Sequence, residues 1–371
     1  MNLLADENMA ALTPLFAPLG RLRALPGRDI SATDMADVEA LLVRSVTRVD
    51  ASLLAAAPKL RFVGTATIGT DHLDLAALSE RGIRWANAPG CNAEAVGEWV
   101  LQALLVLALR SGRALRDCTL GIVGVGNTGS AVLRRLKALG VRVLCCDPLR
   151  QAAGDSGPWF SLDQLLAQCD GITLHVPLVE GGANATRALL DQQRLAQLGE
   201  GAWLLNASRG EVIDNRALVA EKRRRPDLKL ALDVWEQEPL PMPELVELAD
   251  IATPHIAGYS LEGKIRGSLM LHCALTRGQV RTPALAELLD APAKPAEAAP
   301  TTLDDQSLLG LLQQVFDLER EDERFRAALP GGFDARRKAN LARRECSALT
   351  LRPVDDTQRT VLSALGFSLT E

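Results

Sequence analysis

The stretch Thr119–Asp147 constrains the fold more than any other part of this sequence. It opens with a short apolar run that is typical of a buried parallel strand. Three glycines follow in G-x-G-x-x-G spacing: Gly124, Gly126 and Gly129. A helical apolar pattern then ends at Gly140, and a second apolar run leads to the acid, 18 residues (147 − 129) after the last glycine. Strand, turn, helix, strand and acid together predict a Rossmann-type dinucleotide-binding domain.

Each part of this stretch has a physical role in holding NAD. Gly124 permits a tight turn, Gly126 lets the backbone approach a pyrophosphate, and Gly129 lets the helix pack closely on the strand. The helix N-terminus, at Asn127 and Thr128, offers free N–H groups and the positive end of the helix dipole to the phosphates. Asp147 would accept hydrogen bonds from the adenosine ribose, and its charge favours NAD over NADP. Glycine-rich turns often only connect elements, but this complete context favours nucleotide binding.

Composition narrows the class of protein. A chain of 371 residues should form two or three domains, and its net charge of −5 argues against a nucleic-acid partner. The N-terminus lacks the basic region of a signal peptide, and the longest apolar stretch, Trp99–Leu109, is too short to span a membrane. The seven cysteines do not suggest a disulfide framework, and the four histidines have no metal-ligand spacing. We therefore expect a cytoplasmic protein with no metal site and no membrane partner.

Apolar runs alternate with helical patterns on both sides of the glycine turn, which predicts the α/β class with two doubly wound parallel-sheet lobes. Residues 1–92 should form a flavodoxin-like substrate domain, completed by a return helix within 259–285. Residues 93–257 should form the Rossmann-type NAD-binding domain. After a Pro/Ala-rich linker at 291–300, residues 286–371 should form a small α+β C-terminal unit. Its marginal core predicts that it leans on a partner, as a dimerisation domain would.

Three polar residues follow predicted strands of the nucleotide lobe, where open α/β sheets bind their ligands: Arg209, Glu238 and His255. An arginine can hold a substrate carboxylate with two hydrogen bonds. A histidine can take a hydroxyl proton as hydride leaves, and a glutamate beside it fixes its tautomer. Singly, they could be a solvated loop charge, a helix-start acid and a capped loop histidine. Their common placement at three strand ends favours a catalytic group.

The sequence resembles the D-isomer-specific 2-hydroxyacid dehydrogenases over residues 1–285. The matching stretches are Gly121–Gly129, His175–Leu178, Asn206–Gly210, Asp233–Pro239 and Pro254–Gly258. The resemblance implies that Arg209, Glu238 and His255 are catalytic. It also implies cofactor contacts by residues in the same motifs: Val176, Ala207, Ser208, Arg209, Asp233 and Gly258. Two motifs depart from the common pattern, with Val176 in place of threonine and Ser208 in place of cysteine, and a main-chain contact to NAD would survive the first change.

One branch of this family is matched more closely, over nearly the whole chain. The additional stretches are Ala5–Asn8, Val43–Arg48, Gly64–His72, Ala88–Ala93 and His255–Lys264. The resemblance implies a phosphorylated 2-hydroxy acid as substrate, a homodimer formed through the C-terminal unit, and substrate contacts by Ser45, Thr67 and Tyr259. Short polar residues in loops also commonly stabilise turns, so the residues alone leave both readings open for Ser45 and Thr67.

Two other functions are compatible with the motifs. The nearest is a dehydrogenase of the same family that acts on 3-phosphoglycerate or another D-2-hydroxy acid, and the C-terminal residues and the Gly258-Tyr259 junction argue against it. The second is an NAD(H)-sensing binding protein that recruits partners through this fold. The acidic balance and the lack of basic recruiting segments argue against that function.

Overall fold

The computed structural model describes residues 1–289 and 296–370. These residues divide into two compact units. Unit 1 is Met1–Asn92 with the described part of Leu261–Pro292, and unit 2 is Ala93–Ser260 with the described part of Ala293–Glu371. Among the helices of the described ranges, none combines the length and apolar character that a membrane span requires.

Short strands alternate with helices along most of the described chain. The strands are β1 (Asn2–Asp6), β2 (Arg21–Leu25), β3 (Ala40–Val43), β4 (Phe62–Thr65), β5 (Arg84–Ala86), β6 (Thr119–Val123), β7 (Arg142–Cys146), β8 (Gly171–Leu174), β9 (Trp203–Asn206), β10 (Lys229–Leu232), β11 (Ile251–Ala252), β12 (Glu297–Ala298), β13 (Thr350–Arg352) and β14 (Ser368–Leu369). The helices are α1 (Leu12–Phe16), α2 (Ala51–Ala55), α3 (Leu75–Glu80), α4 (Ala93–Arg110), α5 (Asn127–Ala138), α6 (Pro148–Ala152), α7 (Leu162–Gln168), α8 (Gln192–Leu195), α9 (Asn215–Arg224), α10 (Pro243–Leu248), α11 (Leu261–Thr276), α12 (Asp305–Val315), α13 (Leu318–Ala328), α14 (Phe333–Ala339) and α15 (Asp356–Leu365).

Unit 1 is built on a parallel sheet with strand order β2-β1-β3-β4-β5. This is the flavodoxin-like order that the sequence predicts. Successive residues of β3 alternate between two apolar clusters, with Leu41 and Val43 in one and Ala40 and Leu42 in the other. The sheet is therefore covered on both faces, which explains why β3 reads as a continuous apolar run.

Unit 2 contains a six-stranded parallel sheet with order β11-β10-β9-β8-β6-β7. Val123 pairs with Leu174, and Leu174 pairs with Asn206, so the carboxyl ends of β6, β8 and β9 are level. Leu232 pairs with Asn206 and with Ala252, which extends the same edge to β10 and β11. The chain changes direction across the sheet between β6 and β8, and such a switch point is where open α/β sheets bind ligands.

Helix α4 is buried around its whole circumference, with 15 of its 18 residues buried. Such a helix must be covered on every side. Helix α5 packs on it, and so do α12 and α13 of the C-terminal segment, by which we mean the described residues 296–370. The side-chain amide of Gln102 fixes this contact, because it donates to Phe316 O at 2.8 Å and accepts from Leu318 N at 2.7 Å. The C-terminal segment thus completes the core of unit 2.

Of the predicted C-terminal unit 286–371, the described residues 286–289 belong to unit 1, whereas residues 296–370 belong to unit 2. Residues 291–295 of the predicted linker lie outside the described residues. The linker prediction is wrong for Glu297–Ala298, which form β12 and pair with Leu351–Arg352 of β13. The sequence did not predict the edge strand β2, because the residues of this strand are mostly exposed and show little apolar periodicity.

Candidate active site

The glycine turn after β6 contains two contacts that leave no room for a side chain. Gly124 has a φ of +83°, and a Cβ there would lie 2.6 Å from the carbonyl oxygen of His175. A Cβ at Gly129 would lie 2.0 Å from the carbonyl oxygen of Gly124. Both positions therefore require glycine. They provide the tight turn and the close helix packing that the sequence predicts.

Gly126 has a different environment at the N-terminus of α5. It is the N-cap residue, and within the described ranges no side chain caps this end of the helix. A Cβ at Gly126 would meet no described atom within 4 Å. The backbone is thus open in front of helical N–H groups that favour an anion. Gly126, with Asn127 and Thr128 in the first turn, fits the pyrophosphate of a dinucleotide.

Asp147 ends β7 beside the same turn. Its Oδ2 accepts from Val125 N at 2.8 Å, and its Oδ1 accepts from Arg150 N at 3.0 Å as the N-cap of α6. Arg150, the cation nearest in sequence, donates to Val125 O at 2.9 Å and lies over the Trp159 ring at 5.3 Å. The carboxylate is therefore held at the edge of the glycine turn, where the ribose contact is predicted.

The loop after β9 carries Arg209 and is shaped by the amide of Asn206. Asn206 Oδ1 accepts from Ser208 N at 3.0 Å and from Ser208 Oγ at 2.8 Å, while its Nδ2 donates to Arg209 O at 2.9 Å. Arg209 Nη1 donates to Ser208 O at 2.8 Å. Arg209 is half-buried and follows β9 at the carboxyl edge of the sheet.

Gly210 brings the Arg209 loop against the loop that follows β10. A Cβ at Gly210 would lie 2.0 Å from the carbonyl carbon of Trp235, so only glycine allows this contact. Asn215 joins the same two loops, because its Nδ2 donates to Gly210 O at 3.3 Å and its Oδ1 accepts from Glu236 N at 3.2 Å. Arg209 is thereby fixed relative to the segment that carries Glu238.

Glu238 and His255 form a direct pair. Glu238 Oε2 lies 2.7 Å from His255 Nδ1, and Glu238 Oε1 accepts from Trp235 N at 3.0 Å. The His255 side chain is 32% exposed and that of Glu238 is 22% exposed. Since Nδ1 faces the carboxylate, Nε2 is the ring nitrogen directed away from it. His255 has a φ of +56°, a left-handed conformation that is uncommon outside glycine and often marks a functional site.

Asp233 anchors the loop that carries His255, which comprises residues 253–260 between β11 and α11. Its buried carboxylate accepts from Thr253 Oγ1 at 2.6 Å, Ile256 N at 2.8 Å and Ala257 N at 2.9 Å. Burial raises the pKa of Asp233, although the nearby His255 and these hydrogen bonds oppose the shift. The sequence did not indicate this anchoring role. The cofactor contact implied for Asp233 stays a prediction.

The remaining predicted residues lie in both units. Val176 and Ala207 follow β8 and β9, and Gly258 and Tyr259 lie on the loop that carries His255, all within unit 2. Ser45 and Thr67 belong to unit 1 and follow β3 and β4. The Oγ1 atoms of Thr67 and Thr65 are 2.7 Å apart, and Thr67 Oγ1 donates to Gly69 O at 2.9 Å. The turn-stabilising role of Thr67 is thus present, which leaves its substrate contact as a prediction.

The sequence did not predict the hydrogen bonds that hold Thr253, two residues before His255. Trp99 Nε1 donates to Thr253 Oγ1 at 3.2 Å, and Trp235 Nε1 donates to Thr253 O at 2.9 Å. Trp99 and Thr253 are separated by 154 positions. No local pattern could have linked them.

A Rossmann-type unit with an open glycine turn, and with a His–Glu pair and an arginine at adjacent strand ends, defines the class of NAD-dependent dehydrogenases. Residues 96–257 match the NAD binding domain of the D-isomer specific 2-hydroxyacid dehydrogenases. With the relatives described below, this match shows that the chain belongs to that family. Residues 288–366 match a domain of unknown function.

Curated relatives match the whole chain. A protein of Shewanella loihica is 50% identical over 99% of both chains, and one of Shewanella amazonensis is 49% identical over the same shares. Both are named erythronate-4-phosphate dehydrogenase. Among solved structures, D-lactate dehydrogenase from Aquifex aeolicus, complexed with NAD and lactic acid, has a TM-score of 0.61 and 25% identity. That likeness covers 75% of this chain and 95% of the other.

Proposed function

We propose that this protein oxidises 4-phospho-D-erythronate to (R)-3-hydroxy-2-oxo-4-phosphooxybutanoate with NAD, as a step in pyridoxine 5′-phosphate (vitamin B6) biosynthesis. The observation that carries the proposal is the 2.7 Å Glu238–His255 pair beside the Arg209 loop. The full-length relatives at about half identity support the choice of substrate.

Arg209 is proposed to bind the substrate carboxylate and the oxygen on the neighbouring carbon. A guanidinium presents several N–H donors in one plane and can pair with a carboxylate through two of them. The Asn206 amide and Gly210 hold the loop, so that little ordering is needed when the substrate binds. Arg209 thus orients the 2-hydroxyl towards His255.

His255 is proposed to take the proton of the 2-hydroxyl on Nε2. Glu238 faces Nδ1, so it fixes the tautomer with Nδ1 protonated and Nε2 able to accept. When the proton arrives, the carboxylate stabilises the resulting imidazolium. In the reverse reaction the imidazole of His255 starts protonated, and its Nε2 donates the proton to the substrate oxygen.

The cofactor would be held by the glycine turn and the loops of unit 2. Gly126, Asn127 and Thr128 would bind the pyrophosphate, and Asp147 would bind the adenosine ribose and disfavour a 2′-phosphate. The contacts implied by the family motifs complete the set: Val176, Ala207, Ser208, Asp233 and Gly258. When bound, NAD supplies the acceptor for the hydride that leaves the substrate.

Ser45, Thr67 and Tyr259 are proposed to contact the substrate. We further propose a cytoplasmic homodimer formed through residues 286–371, in line with the branch that the sequence resembles. Light scattering of the full chain tests the oligomeric state, and a monomer at micromolar concentration would contradict it.

The function is tested by following NADH formation with 4-phospho-D-erythronate, 3-phospho-D-glycerate and D-lactate, side by side. The expected result is the highest kcat/KM with 4-phospho-D-erythronate. In His255→Ala the kcat/KM for 4-phospho-D-erythronate should fall by at least about 100-fold, because the proton acceptor is lost. Preference for 3-phospho-D-glycerate would identify the rival dehydrogenase. NADH binding without turnover of any of these acids would favour the NAD(H)-sensing function.

A further inference from the structure

A buried arginine of the C-terminal segment contacts the loop that carries His255. Arg343 lies between α14 and β13 and is 8% exposed. Its Nη1 donates to the carbonyl oxygens of Ile256 and Ala257, both at 3.1 Å, and its Nη2 donates to Ala95 O at 3.1 Å. The guanidinium lies over the Phe316 ring, 4.1 Å from its centroid. The side chain is thus enclosed by α4, by its own segment and by the histidine loop.

The same two residues of the loop are held from their other side. Asp233 accepts from Ile256 N and Ala257 N, so their N–H groups bond to a buried carboxylate and their C=O groups bond to a buried guanidinium. Further along the loop, Ser260 Oγ donates to Glu345 Oε1 at 2.6 Å, and both residues are buried. The C-terminal segment therefore contacts the loop through Arg343 and Glu345, and its Arg337 also lies over the Tyr259 ring at 5.4 Å.

The residue next to these contacts is under conformational strain. His255 has a left-handed backbone conformation, which is unfavourable for a residue other than glycine. Such a conformation persists only where its surroundings over-determine it. The paired bonds to residues 256 and 257 supply that constraint immediately after the histidine.

We propose that Arg343 is a positioning residue for His255, and that the C-terminal segment has a role in catalysis: it braces the histidine loop from within the same chain. This rests on the proposed role of His255 as proton acceptor. It also assigns a positioning role to a residue within the stretch that matches a domain of unknown function.

The charge and the planar geometry of an arginine both suit this position. Burial lowers the pKa of Arg343, and the surrounding carboxyl groups of Glu98, Asp233 and Glu345 counter that effect. A planar guanidinium can reach three carbonyl oxygens at once, whereas a lysine ammonium at the end of a flexible stem cannot reproduce the fork. Arg343→Lys therefore keeps the charge while removing the geometry.

The test compares Arg343→Lys with Arg352→Lys, an exposed arginine on β13 in the same segment. In Arg343→Lys we expect kcat to fall roughly 10- to 100-fold while KM and NADH binding change less than about threefold, since a displacement of about 1 Å at a reacting group has effects of this size. Arg352→Lys should leave all three unchanged. Equal losses in kcat and NADH binding would indicate a merely structural role and overturn the proposal.

A second readout does not depend on turnover. The chain has four histidines, so ring signals of ¹³C-labelled histidine can be assigned by comparison with His255→Ala. In Arg343→Lys the His255 signal should move or broaden while the other three stay in place, and an unmoved signal would overturn the proposal. Because this signal does not depend on turnover, it distinguishes failure of the Arg343 proposal from a wrong assignment of the substrate. If Arg343→Lys does not fold, Ser260→Ala removes the hydrogen bond from the loop to Glu345. Unchanged kcat and an unchanged His255 signal in that variant would also overturn the proposal.

Discussion

Single residues decide the chemistry, and the contact between Glu238 and His255 is the first one to test. Glu238→Gln keeps the shape of the side chain but removes the negative charge 2.7 Å from His255 Nδ1. The imidazolium that forms during oxidation loses its stabilising partner, and the tautomer with Nδ1 protonated is no longer selected. The kcat for oxidation should therefore fall at least about tenfold, while NADH binding changes little. Initial rates and NADH titration measure the two quantities, with Glu247→Gln on the exposed face of α10 as control. A variant with the kcat of the wild type would contradict the pairing.

Arg209→Lys tests the planar contact with the carboxylate. The ammonium keeps the charge but offers no fork, so kcat/KM should fall by about 100-fold while NAD binding changes little. Steady-state kinetics and NADH fluorescence titration measure the two quantities. Arg216→Lys, at an exposed position on α9, is the matched control. A lysine variant with near-wild-type kcat/KM would show that the guanidinium fork is not needed.

Gly126→Ala separates folding from cofactor binding. A Cβ there meets no described atom within 4 Å, so thermal stability should be unchanged. The methyl group would enter the space through which a pyrophosphate approaches the backbone, and the Kd for NADH should rise at least about tenfold. Gly199→Ala, another position where a Cβ meets no described atom, should change neither quantity. Unaltered NADH affinity in Gly126→Ala would place the pyrophosphate elsewhere.

At the scale of elements, helix α4 carries a carboxyl group into the core of unit 2. Burial raises the pKa of Glu98 to about 7, with Arg135 opposing and Glu345 adding to the shift. Between its ordinary value of 4.5 and about 7, the folded protein binds more protons than the unfolded chain. The free energy of unfolding should therefore fall as pH rises through this window.

Glu98→Gln should remove this pH-dependent contribution, because an amide does not ionise. The amide oxygen can still accept the hydrogen bond that Cys346 N donates to Glu98 Oε1 at 2.8 Å in the wild type. Urea unfolding at pH 5 and pH 7.5 measures the effect. The variant should gain stability relative to the wild type at the higher pH. A constant difference between the two proteins would contradict the assigned direction.

On the scale of the whole molecule, the C-terminal segment is part of the core of unit 2. Leu308, Leu312 and Leu365 belong to the same apolar cluster as Trp99 of α4. A chain ending at residue 291 would expose that face of α4, and we expect it to be insoluble or partly unfolded. Circular dichroism and size-exclusion chromatography of the truncated chain test this. A folded, active truncation would contradict the shared core.

Much of this architecture could be predicted from the sequence because its signals are local. The glycine spacing reflects the left-handed turn at Gly124 and the close contact of Gly129 with that turn. The apolar runs of β3 and β9 reflect strands buried on both faces. Arg209, Glu238 and His255 each follow a predicted strand. Parallel strands align their carboxyl ends, so sequence position alone predicted that the three would be neighbours.

Other features exist only after folding. The bonds from Arg343 to residues 256 and 257, and from Trp99 to Thr253, join positions far apart in the chain. The same is true of the cover that the C-terminal segment provides for α4, where the sequence predicted a separate unit. Local patterns report which face of an element is apolar. The partner that covers that face is fixed by the free energy of packing all elements together, and only the tertiary structure reveals it.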